Sequence, residues 1–314
     1  MPGTPASQVH QRQRLSRQLS RRPPPRPGPR RKRCQTPFLV LRKRCQTPFL
    51  VLAVAFLLAG SVHARAAETD WLARARQFYN QRQYDQAIAA AERALTIPAS
   101  AAGARLVIGR SHLERFRATA TVADLVAGRA ALAAVRPDGL AARDRLDLLV
   151  GLAEVLYLDN RFGAAAELFA SALDSTLAAP EARDTILDWW ASARDRLVRA
   201  GEANHETAYR QVVTRMDQEL GQNPASTTAA YWLAAASRGA GDLDRAWNAA
   251  VAGWVRAVLS PTGAAALRAD LDHLVLTAII PERARELGGD REQVTAALKE
   301  EWEAVKRDWK EPRN

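Results

Sequence analysis

Between positions 71 and 98 the chain places bulky and small apolar residues at helical intervals: WLARARQFYNQRQYDQAIAAAERALTIP. Trp71, Ala75 and Phe78 stand at i, i+4 and i+7, which is one face of a helix. After the polar run Asn80-Gln81-Arg82-Gln83, a second face follows through Tyr84, Ala87, Ala91 and Ala94. Pro98 closes the pair, because proline has no amide donor with which to continue a helix. Ala75 and Ala87, twelve positions apart, are small where two antiparallel helices must cross closely. A hairpin of this kind leaves apolar surface uncovered and needs stacked neighbours.

The pattern returns twice. Leu149, Leu152, Ala153 and Leu156 precede Phe162, Ala165, Phe169 and Ala172; later, Leu233 and Ala234 precede Gly241, Leu243, Ala246, Ala250 and Gly253. The small residues are again twelve apart, at 153/165 and 234/246. With the aromatic at the head of the second helix and the proline behind it, this grammar resembles the tetratricopeptide repeat. Arg82 departs from the family in standing where a turn glycine is usual, and Pro98 comes one residue early. The resemblance implies an all-α fold, a right-handed α-α superhelix built as a solenoid of helical hairpins, in which the first helix of each pair lines a concave face.

Between these units the repeat is irregular. A helix over 103–116 carries Leu106, Gly109 and Leu113, with Gly109 at 34 positions after Ala75, the family's period. Its partner over 122–135 carries Leu125, Gly128 and Leu132, and the next step, from Gly109 to Ala153, is 44, so an insertion lengthens this unit. Segments 180–199 and 206–220 form a long hairpin outside the register. Beyond Pro261 we expect a helix over 264–280, a break at Pro281 and a last helix over 290–310. Asp290 and Gln293 have capping-box spacing. Val294, Leu298, Trp302, Val305 and Trp309 then form one apolar stripe, suited to cover the open end that a solenoid leaves. The organisation expected is a leader over 1–66, repeats over 67–259 and a helical cap over 260–314.

The leader alters the charge picture. Residues 1–30 are rich in Arg, Pro and Gln without apolar periodicity, a composition of disorder. The block RKRCQTPFLVL at 31–41 repeats letter for letter at 42–52 and runs into an apolar core at about 49–60, followed by Ala64 and Ala66 spaced for signal-peptidase cleavage. We expect export, to a periplasm or beyond; the alternative is retention as an inner-membrane anchor through 49–62. That stretch is shorter than the roughly 20 residues a span requires. Fourteen of the 45 basic residues lie in 1–66, which holds no acidic one, so 31 basic face 34 acidic side chains thereafter. The net charge of +11 thus belongs to the leader, and the repeat region lacks the basic footprint that nucleic-acid binding needs. A membrane partner is implied only if the leader is kept. Both cysteines, Cys34 and Cys45, also precede residue 67, which excludes disulfides and thiolate chemistry from the rest.

Candidate chemistry is sparse. His112 with Glu114 offers two ligands where zinc needs three or four; Asn204-His205-Glu206 reads as a helix cap, and Asp270-Leu-Asp272-His273 as a solvated face. No phosphate loop, nucleophile elbow or metalloprotease motif occurs, so neither catalytic residues, metal nor cofactor are expected. What the resemblance implies instead is a protein- or peptide-binding groove on the first helices. By register its free face comprises Leu72, Arg76, Tyr79 and Asn80, then Leu106, Arg110, Leu113 and Glu114, then Val150, Glu154, Tyr157 and Leu158. The leading expectation is an exported, non-catalytic scaffold in the cell envelope. Its rivals are an assembly subunit docking through the C-terminal Trp stripe, and an envelope hydrolase or sugar-binding protein with a spatially assembled site.

Overall fold

Four hairpins in the computed structural model are each closed by one residue in the left-handed backbone region, two positions before the second helix begins. Arg82 (φ 59°), Ala120 (φ 55°), Asn160 (φ 58°) and Gly241 (φ 81°) occupy these turns. The structure describes residues 70–175, 180–260 and 263–309; the expectations for the leader, its signal segment and its duplication fall outside these. The described residues are helical throughout, with no strand among them. In order they form α1 (Trp71–Asn80), α2 (Tyr84–Ala94), α3 (Ala101–Thr119), α4 (Val122–Ala133), α5 (Ala142–Leu158), α6 (Phe162–Leu173) and α7 (Pro180–Arg199). There follow α8 (His205–Gln222), α9 (Thr227–Gly239), α10 (Leu243–Arg256), α11 (Ala264–Leu274), α12 (Ile280–Leu287) and α13 (Arg291–Asp308).

Successive helices pair as hairpins: α1 with α2, α3 with α4, α5 with α6, α9 with α10. Each second helix also packs on the first helix of the next pair, and α1, α3, α5, α7, α9 and α11 touch in series. The odd-numbered helices therefore form a continuous row, with the even-numbered ones packed against it. Small residues make this layering geometrically possible. Ala75, Ala87, Ala153, Ala165, Ala234 and Ala246 are all 0% exposed, so the twelve-residue spacing marks the crossing point in three hairpins. In the α3–α4 hairpin the same task falls to Gly109 and Gly128. A β-carbon on Gly109 would lie 3.2 Å from the Gly128 carbonyl oxygen, and one on Gly128 would lie 3.1 Å from that of Gly109. The insertion noted in the sequence is accommodated because α3 runs from residue 101 to 119, longer than α1.

Two expectations at the C-terminal end are corrected. Pro281 does not break the chain's helix. The helix widens into a π-helical stretch over Val275–Ile279 and continues as α12, with Pro281 in its first turn. A wider turn absorbs the lost amide donor and the ring's clash with the preceding carbonyl. The break comes instead at Gly288 and Gly289, both at positive φ (70° and 81°). The second correction concerns Asp272, which is no idle surface carboxylate. It accepts from Trp302 Nε1 at 2.8 Å and from Lys306 Nζ at 2.8 Å, tying α13 to α11. Asp290 caps α13 by accepting from the backbone N–H groups of Glu292 and Gln293. Likewise Asn204 caps α8 through Thr207. The stripe behaves as a cover: Leu298 is buried and Trp302 wholly so, edge-on to Trp247 and Trp254 of α10, while Trp309 stays 54% exposed.

Candidate functional site

The row of odd-numbered helices carries the residues singled out by register, and it brings most of them together. Arg76, Tyr79 and Asn80 of α1 and Arg110 of α3 border a cavity of about 420 Å³, completed by Asp144 and Asp147 of α5. Arg110 reaches onward into a smaller, more enclosed cavity of about 210 Å³ beside Glu114, Asp147, Val150 and Glu154, with Ile186 of α7 closing the far side. The two cavities share Arg110, Arg143, Asp147 and Ala182. Tyr157 lies apart from this cluster. It meets Trp189 edge-on at 4.7 Å and Phe162 at 5.3 Å, and borders a third cavity of about 510 Å³ with Arg117, Asp188 and Trp189.

Some register positions turn out to be structural. Leu72 packs over Gly103, whose absent β-carbon would sit 2.9 Å from Leu72 Cδ2. Leu113 is fully buried in the core, and Leu158 packs against the same cluster. Leu106 and Val150 are buried floor residues of the two cavities. The reason is that α3 and α5 have neighbours on more sides than α1, the first described helix of the row, so a broader arc of each is covered.

At the centre sits a buried ion pair. Glu154 is 2% exposed, and its Oε1 accepts from Arg110 Nη1 at 3.1 Å. Its other oxygen, Oε2, is buried without a hydrogen-bond partner among the described residues. Burial pushes the Glu154 carboxyl above its ordinary value even though Arg110 pulls the other way. Burial also raises Asp147, against the pull of Arg110 and Arg143, and raises the Tyr79 phenol. For Arg110, burial works to lower the guanidinium, but the Glu154 carboxylate and the Tyr79 phenol outweigh it and leave it raised. Loss of water penalises a charge unless donors or opposite charges replace the hydration. At Glu154 a single donor stands against two buried oxygens.

Around that centre the remaining charges are partly engaged. Arg76 donates to Asp144 Oδ2 at 2.8 Å, joining α1 to α5. Glu114 takes Arg117 at 3.1 Å, and Arg117 lies over the Trp189 ring at 5.1 Å. His112 faces Asp124 at 2.8 Å on the other side of α3. No group of three or more metal-binding side chains gathers among the described residues, and no described helix is long and apolar enough to cross a membrane.

Register reasoning missed Arg143, Asp144 and Asp147. They lie on the first turns of α5, before the apolar pattern that opens at Leu149. The signal was present: Arg143, Asp147, Val150 and Glu154 follow at steps of four, three and four, one helical face. Trp189 was foreseeable too, since two adjacent tryptophans cannot both face inward; Trp190 is the buried one. No protein-family model, curated protein or solved structure matches this chain.

Proposed function

We propose that this chain is an exported, non-catalytic scaffold of the tetratricopeptide type, a right-handed superhelix whose odd-helix face receives an extended peptide or a helix of a partner protein in the cell envelope. The observation that carries the reading is the convergence of side chains from three consecutive hairpins on adjoining cavities along one row. An aromatic ring (Tyr79), both charge signs and an amide (Asn80) stand side by side there. Peptide grooves combine such anchors with polar groups that fix direction. The rival in which the C-terminal stripe docks a partner is less well supported, because Leu298 and Trp302 are already consumed inside the chain.

The test is selection of peptides from a random dodecamer phage library on the wild-type chain, followed by binding of the selected peptides to the Arg76→Glu/Tyr79→Ala variant. The groove reading expects at least tenfold weaker binding to the variant at unchanged helicity. Peptides that bind both equally well would remove it.

A further inference from the structure

Resting on that groove reading, we infer that the groove is gated by pH: proton uptake by Glu154, with Asp147 following, turns its centre from charge-balanced to cationic and frees Arg110 for a carboxylate side chain of the bound peptide. In and beside the two adjoining cavities, four guanidinium groups, Arg76, Arg110, Arg117 and Arg143, stand against four carboxylates, Glu114, Asp144, Asp147 and Glu154. Two of the carboxylates hold their charge at low cost. Asp144 takes Arg76 at 2.8 Å, and Glu114 takes Arg117 with both oxygens, at 3.1 and 3.3 Å. Glu154 is placed differently. It is 2% exposed, Arg110 Nη1 serves Oε1 at 3.1 Å, and Oε2 is sealed from water with no partner among the described residues. An ionised carboxylate sealed in this way gives up its hydration without replacing it, whereas the neutral acid gives up far less.

The neighbouring helices offer Glu154 little further help. From α3, Arg110, Glu114 and Arg117 act on it, but Arg117 is committed to Glu114. The Tyr79 phenol of α1 stands beside Arg110, and Asp147 lies on the same face of α5. The charges of α4 are engaged elsewhere, Asp124 by His112 and Arg115, Arg129 by Asp159. The one charged residue of α6, Glu167, is exposed. From α7, Ala182, Thr185 and Ile186 face the cavity, while Asp184 and Asp188 border the next one with Arg117. Arg110 is thus the one cation in contact with Glu154 among the described residues. Burial raises Glu154 above its ordinary 4.5 and Asp147 above its ordinary 3.8, so both take up protons earlier on acidification than exposed carboxylates do. Each proton adds one positive charge to the groove. Protonation of Glu154 also strips Arg110 of its counter-charge, and a guanidinium only 18% exposed favours having one. Arg110 borders the 420 Å³ cavity with Arg76, Arg143 and Asn80. A carboxylate entering there replaces the partner that Glu154 has ceased to be.

The test runs the random dodecamer selection at about pH 5 and about pH 7.5 in parallel. Wild type should enrich peptides with aspartate or glutamate at one fixed position at the lower pH and lose that preference at the higher. A selected peptide, acetylated and amidated so that only its side chains carry charge, should bind wild type at least about fivefold more tightly at the lower pH, and its twin with the matching amide should change less than about twofold. Glu154→Gln fixes the neutral form. It should bind the acidic peptide at the higher pH as tightly as wild type does at the lower, with most of the pH dependence gone; a purely structural role for Glu154 would weaken binding instead. If Glu154→Gln does not fold, calorimetry of wild type at about pH 6 in buffers of different ionisation heat should show proton uptake with the acidic peptide and none with its amide twin. Peptides selected without acidic preference at either pH, yet weakened by Tyr79→Ala, would overturn the switch and leave the groove standing. Full pH dependence in Glu154→Gln would overturn Glu154 as its seat. Failure of wild type to select any peptide at either pH would overturn switch and groove together.

Discussion

Trp302 gives the sharpest test of the packing. Its side chain is wholly buried, edge-on to Trp247 at 6.0 Å and to Trp254 at 5.4 Å, and its Nε1 donates to Asp272. A tryptophan hides roughly 150–250 Å², worth about 4–6 kcal/mol at 25 cal/mol per Å² as an upper bound. Core series place the measured cost of such truncations at about 3–5 kcal/mol. Asp272 is not orphaned by Trp302→Ala, because Lys306 still donates to it, so no large polar penalty adds to this. A loss of 3–5 kcal/mol corresponds to a fall in local protection of roughly two to three and a half orders of magnitude.

Where that loss appears matters as much as its size. In a stack whose elements touch only their neighbours, a defect at one end opens that end first. Hydrogen exchange should therefore show amides of 264–309 losing protection in Trp302→Ala while those of 71–133 keep theirs. Trp302→Phe, which retains most of the area, should lose about 1–2 kcal/mol. Less than tenfold deprotection at 264–309 would refute the burial argument. Equal deprotection at 71–133 would refute the stack, since it would mean that all the hairpins open as one.

Three other substitutions probe separate links. Gly109→Ala puts a β-carbon 2.5 Å from Leu132 Cγ and 3.2 Å from the Gly128 carbonyl; overpacking of about 1–3 kcal/mol outweighs a helix-propensity gain of about 1 kcal/mol, and thermal melts should fall, not rise. Arg82→Gly and Ala120→Gly relieve left-handed strain of about 1–2 kcal/mol against an unfolded-state entropy cost of roughly half that, so both should be slightly stabilising in urea, whereas Gly241→Ala should destabilise. Glu219 is buried with both oxygens engaged, by Arg183 at 2.8 and 2.6 Å and by Arg215 at 2.9 Å. Burial pushes its carboxyl up, but these donors more than reverse it and hold it below the ordinary value of 4.5. A depressed value means that its contribution is present above pH 4.5 and lost as pH falls through the folded value. Glu219→Gln should thus cost about 1–3 kcal/mol at pH 7, and the gap from wild type should close on acidification; a gap independent of pH would contradict the assignment.

The hairpins were legible because close helix crossings demand small residues, and alanine pairs at 75/87, 153/165 and 234/246 repeat that demand at one interval. The turns were half legible. Gly241 announces its left-handed conformation and Asn160, a residue type enriched there, hints at it, whereas Arg82 and Ala120 adopt it under the constraint of two packed helices and leave no mark in composition. Pro281 misled because the rule that proline ends a helix presumes the ordinary turn. Val275 and Ile279, both wholly buried at the two ends of the π-helical stretch, hold a wider one in place. For the groove, apolar periodicity located Arg110 and Glu154 but started α5 too late to include Asp144 and Asp147. The face through Arg143, Asp147, Val150 and Glu154 could be read within α5, but its grouping with Arg76 and Arg110 emerges only when α1, α3 and α5 lie side by side.

Two buried glutamates among the described residues behave in opposite ways. Glu219 and Glu154 are each covered, each on an α-helix and each paired with arginine. Replacing a buried ion pair with well-packed apolar groups is often neutral or stabilising, so the presence of such a pair is poor evidence of a stabilising role by itself. Glu219 nevertheless behaves as a stabiliser should: three donors occupy two oxygens, its carboxyl is depressed, and it bolts α7 to α8. Glu154 has one protein donor for two oxygens, its carboxyl is raised, and a cavity adjoins it. A pair whose task was only to join α3 to α5 would gain from a second donor, and among the described residues Glu154 lacks one. The same residue type in the same kind of helix, with opposite shifts, separates a residue that completes the fold from one left incomplete by it.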